Sequence, residues 1–126
     1  MDSYSVEDIR EAHLIVSQVV SLLEKMVPKF EEGTSQHTLL MRRIAAFNIA
    51  LALFQRELGE SKTIRYTEEE LLEAHRAIQS TLNKLSKMLP RLQLGSSQHA
   101  RLMCQIKACD FAKALTAREL ELFNSD

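Results

Sequence analysis

Sliding the chain against itself by 62 residues aligns positions 4–60 with 66–122 without a gap, and 23 of the 57 aligned pairs are identical. Two unrelated segments of average composition would share roughly 4. The identities include Glu11-Ala12-His13 with Glu73-Ala74-His75 and Pro28 with Pro90. They also include Gly33 with Gly95, Ser35-Gln36-His37 with Ser97-Gln98-His99, and Arg56-Glu57-Leu58 with Arg118-Glu119-Leu120. The chain therefore reads as two tandem copies, 4–60 and 66–122, of one unit within a single domain spanning 1–126. Such a repeat constrains the fold more than any composition can, because the second half must build what the first half builds.

Each unit reads as helix, tight turn, helix. Ser5 and Thr67 each stand three residues before an acid, Asp8 and Glu70. In that arrangement the hydroxyl satisfies an orphan amide and the acids suit the positive helix end. Tyr4 and Tyr66, just before these caps, suit hydrophobic staples. Apolar residues then fall at 6, 9, 16, 20, 23, 27 and 30, the three-four spacing of a bundle seam. Gly33 and Gly95 are expected to end the first helix of each unit as left-handed caps, with Thr34/Ser35 and Ser96/Ser97 opening the next. Pro28 and Pro90, about one turn earlier, predict a kink or short break.

A turn of two or three residues makes the helices of a unit antiparallel, so residues whose numbers sum to about 67 sit at one height. Glu11 with Arg56, and Glu73 with Arg118, satisfy this rule and are expected to pair across each hairpin. One hairpin cannot enclose its own apolar stripe. Two packed face to face can, which predicts an all-α, up-down-up-down four-helix bundle with approximate two-fold symmetry.

Composition sets limits on function. Residues 1–62 carry 7 basic and 9 acidic groups and residues 63–126 carry 9 and 8, so neither repeat has the basic excess of a sequence-independent nucleic-acid binder. Nucleic acid is thus a disfavoured partner, and a local patch such as Arg42 and Arg43 is what could bind it. The first residues show no basic segment followed by an apolar core, and the longest apolar stretch, 44–54, is interrupted by Asn48. Neither a secretory signal nor a bilayer span is expected. Cys104 and Cys109, five apart on a helix, point roughly 140° from one another and suit reduced thiols, small core residues in a cytoplasmic protein.

All four histidines stand at repeated positions. His13 and His75 fall on the apolar seams at one expected level, where they could face each other. His37 and His99 fall in the first turn of the second helices. A paired-histidine ligand or metal carrier is one reading. Against it, neither His13 nor His75 has an acid three or four positions away, and His37 lies roughly 25 Å along the bundle from His13. Two separate pairs, each two ligands short of a closed tetrahedral site, make a weak metal centre, and no cofactor is expected.

The repeats also differ. Leu14 and Leu22 correspond to Arg76 and Lys84, and Ala45, Leu51 and Phe54 to Lys107, Lys113 and Thr116. Either the first hairpin presents an apolar outer face for a homodimer or protein partner, or its second helix is the more enclosed. No nucleophile–base pair, paired carboxylates or phosphate loop appears, so the expectation is a non-enzymatic helical interaction or regulatory module.

Overall fold

The structure is a computed structural model that describes residues 5–60 and 65–123. Four helices form: α1 (Val6–Met26), α2 (Ser35–Glu57), α3 (Glu68–Met88) and α4 (Ser97–Glu121). Short 3-10 helices, Val27–Lys29 and Leu89–Arg91, continue α1 and α3. Every element of the second hairpin begins 62 residues after its equivalent in the first, and α4 runs two residues further than α2. The result is an up-down-up-down four-helix bundle.

The helix starts follow from the caps. Ser5 and Thr67 accept from the amides of Asp8 and Glu70, whose carboxylates return to the cap amides. Tyr66, ahead of one cap, is half-buried; Tyr4 lies outside the described residues. At α2 and α4 the caps are Thr34 and Ser96, which accept from the amides of His37 and His99 at 3.2 and 3.1 Å.

The helix ends differ from expectation. Neither glycine caps α1 or α3. The helices tighten into 3-10 turns at Val27 and Leu89, where Pro28 and Pro90 sit in the first 3-10 positions. Proline lacks the amide that the α-helix would use and its ring crowds the preceding turn, so the predicted break takes this form. Five residues, Phe30 to Thr34, then lead to α2, a longer connection than the two or three expected. Gly33 and Gly95 act within that connection, at φ of 89° and 88°, where a side chain would be strained.

The bundle has a short diagonal. α2 and α4 touch each other as well as their neighbours, whereas α1 and α3 do not approach one another among the described residues. The cause is side-chain size. Ala46 and Ala50 on α2, with Ala108 and Ala112 on α4, are all buried, and such small residues allow two helices to come close. Around them the core continues through Val16, Phe47, Leu53, Ile78 and Leu115. α2 is long and apolar enough by composition to cross a bilayer, yet here it contacts the other three helices.

Large and small residues trade places across the diagonal. α2 supplies Phe47 and Phe54 where α4 has Cys109 and Thr116, and all four are almost fully buried. Phe54 meets Phe111 edge to face at 5.3 Å. Thr116 donates its hydroxyl to the Ala112 carbonyl at 3.1 Å, which satisfies the one buried polar residue in the core of the described chain.

Candidate functional surfaces on the bundle

The expected ion pairs within each hairpin do not form. Arg56 instead pairs with Glu119, and Arg118 with Glu57, reciprocally across the α2–α4 diagonal. Both helices run in the same direction, and the Arg-Glu pairs near their C-terminal ends meet. Glu11 and Glu73 are left exposed on the outer faces of α1 and α3.

The histidines separate likewise. His13 and His75 belong to the two helices that do not touch, so they do not face each other. The Gln55 amide donates to His13 Nε2 at 3.4 Å. At the equivalent place the second hairpin has Ala117, and His75 instead lies near Lys113. Burial, reinforced by the Lys113 charge, holds the His75 imidazole below the ordinary histidine range. His37 and His99 are half-buried in first helical turns. Among the described residues no group of three or more His, Cys, Asp or Glu side chains converges to hold a metal ion.

The interface candidates divide into two sets. Phe54 is core, Leu51 is half-buried against it, and Ala45 is exposed beside a depression between α2 and α3. Enclosure of α2 along the short diagonal explains most of its apolar character. Leu14 and Leu22 do lie outside, 58% and 56% exposed. They belong to an outer stripe of α1 and its 3-10 continuation made of Glu7, Glu11, Leu14, Gln18, Leu22, Lys25 and Lys29, every one exposed.

Two grooves occupy equivalent places near the connections. One, about 460 Å³, lies between α1 and α4 and includes Ile15, Leu22, Lys25, Arg101 and Gln105. The other, about 750 Å³, lies between α2 and α3 and includes Arg43, His75, Arg76, Lys84, Lys87 and Arg91. Arg43, Arg76 and Lys84 correspond to Gln105, Leu14 and Leu22, so the same backbone carries a far more cationic lining in the second case.

Charge is sorted by the ends of the bundle, which counting by repeats conceals. Halved at Val16, Ala46, Ile78 and Ala108, the connection end carries nine Lys and Arg against three acids, Glu24, Glu31 and Glu32. Among the described residues the opposite end carries six against twelve. A sequence signal for this existed: from Ala74 to Cys109 there is no Asp or Glu at all.

No protein-family model, curated protein or solved structure matches the chain.

Proposed function

We propose that the protein is a non-enzymatic helical interaction module that pairs with a second copy of itself through the outer face of α1. The observation that carries this reading is the order of residues along that stripe. Set antiparallel to its own copy about Gln18, α1 places Leu14 opposite Leu22, Glu11 opposite Lys25 and Glu7 opposite Lys29. Every unlike charge then meets its complement, and the exposed leucines cover each other, as an isologous two-fold contact requires. The equivalent stripe of α3 keeps the outer charges as Glu69, Glu73, Lys87 and Arg91 but places Arg76 opposite Lys84. Like charges would repel there, so α1 is the self-pairing face and α3 is not. This reading treats the hairpins as copies of one ancestral unit whose outer surfaces have since diverged.

One helix pair makes a small interface, so a dissociation constant of about micromolar order is expected. Light scattering and sedimentation at tens of micromolar, about that range, should find a dimer. Leu14→Arg with Leu22→Lys, the residues α3 carries, should give a monomer with unchanged helix content. Glu11→Lys should also weaken the dimer, and adding Lys25→Glu should restore it. A wild-type chain that remains monomeric under these conditions ends this reading.

A further inference from the structure

We propose that the groove between α2 and α3 is a phosphate-backbone site that seats one strand of a nucleic-acid duplex without regard to sequence. The site does not depend on self-pairing: α1 does not border it, so it stays open in a monomer and in an α1-paired dimer alike.

The first argument is uncompensated charge. Arg43, Arg76, Lys84, Lys87 and Arg91 line the groove, no acid does, and none of the five forms an ion pair among the described residues. By contrast Arg56 pairs with Glu119, Arg118 with Glu57 and Lys107 with Asp8. The Nε of Arg43 is buried and has no hydrogen-bond partner, a donor that an incoming anion would satisfy.

Geometry is the second argument. Four cations run from Arg76 on α3 to Arg91 in its 3-10 continuation, about 22 Å at the rise of a helix. One strand carries a phosphate for about every 3.4 Å of duplex axis, so a cationic row of this length has several phosphates within its reach.

The chemistry of the lining separates nucleic acid from an acidic protein. Between the cations stand Gln79, Ser80 and Asn83, the side-chain types that hydrogen-bond phosphate oxygens. Met88 is the one apolar residue, and there is no Phe, Tyr or Trp. A protein partner would need buried apolar or aromatic anchors, and single-stranded nucleic acid would need stacking platforms. A duplex backbone needs neither.

The test is fluorescence anisotropy of a short labelled duplex DNA, titrated with the full chain over a salt series. Binding should weaken with salt at a log–log slope of about −4 to −5. Arg76→Gln with Lys84→Gln should lower the slope by about 2 and weaken low-salt binding about tenfold or more. Both residues are exposed, so an unchanged thermal midpoint will show that the fold is intact. Arg101→Gln removes a charge from the equivalent α1–α4 groove and should change binding far less. His75 lines the groove, and its ring resonances should shift when duplex binds. The proposal is overturned by absent binding at low salt, by Arg101→Gln acting as strongly as the α3 pair, or by polyglutamate displacing the duplex at equal charge concentration. That last outcome would assign the groove to an acidic protein. Because these readouts do not use oligomeric state, their failure and that of α1 pairing are separately visible.

Discussion

Arg56 on α2 reaches across the short diagonal to Glu119 on α4, donating from Nη1 to Oε2 at 3.2 Å, while Arg118 makes the mirror contact to Glu57. Glu119 is the more enclosed acid, 13% exposed against 28% for Glu57. The bond to Glu119 also raises the Arg56 guanidinium above its ordinary value. Equivalent positions thus have unequal surroundings.

Unequal burial predicts unequal energetics. Glu119→Gln should destabilise the bundle by about 1–2 kcal/mol, the range for a charge-assisted bond lost from a partly buried pair. Glu57→Gln should cost well under ~1 kcal/mol, as for exposed ion pairs. Urea denaturation of both variants measures the difference, and equal losses would contradict it.

The aromatic contact between Phe54 and Phe111 joins the same two helices within the core. Phe54→Ala leaves a cavity that Thr116 and its neighbours cannot fill, because the surrounding helices are held at fixed spacing. A loss of about 3–5 kcal/mol is expected from thermal or chemical unfolding. Thr116→Val keeps volume and removes only a hydroxyl bonded to carbonyls of its own helix, at Ala112 and Lys113. It should cost about 0.5–1.5 kcal/mol, the net worth of a hydrogen bond.

These relationships mark what could be read from the residues alone. Caps at Ser5 and Thr67, helix direction and the bundle itself were legible, because hydroxyl–acid spacing and apolar period act locally. Height within a hairpin was legible too, as the Gln55–His13 contact shows. Which helices touch was not. The sum rule placed Arg56 level with Glu11, but it was equally level with Glu119, and only the α2–α4 approach decides between them. The buried alanines at 46, 50, 108 and 112 carried that information, though small residues show no strong signal against an apolar helix. The same ambiguity set His13 against His75, and halving the charge count by repeat hid its sorting by end. Leu14 and Leu22 were readable as outer residues because their equivalents are charged. Phe54 was not, because its equivalent Thr116 is buried as well.

The histidine on α3 gives a pH dependence with a definite sign. Burial and the Lys113 charge lower the folded-state value of His75 below the ordinary 6.5. Below about that pH the unfolded chain binds a proton that the folded chain resists, so stability rises with pH across the window. The contribution is fully present above the unfolded value and is lost as pH falls through the folded one. His75→Gln removes this component. Denaturation midpoints of wild type and variant between about pH 5 and 7 should therefore diverge on the acid side, the wild type falling more steeply. Parallel profiles would show that His75 contributes nothing to acid sensitivity.

The two thiols extend the argument from packing to dynamics. Cys104 is exposed and Cys109 is buried beneath the α2–α4 contact. Burial, with Asp110 adding repulsion, pushes the Cys109 thiol up to about 12, so almost no thiolate exists at neutral pH. A thiol reagent needs both access and thiolate. One cysteine should react quickly in the native protein, and the second only when α2 and α4 part. Modification of Cys109 therefore reports the opening of the core. Phe54→Ala, which weakens that core, should accelerate the slow phase by the factor expected from its measured loss of stability while leaving the fast phase unchanged. Equal reaction of both thiols in the folded wild type would mean that the diagonal opens far more readily than its packing implies.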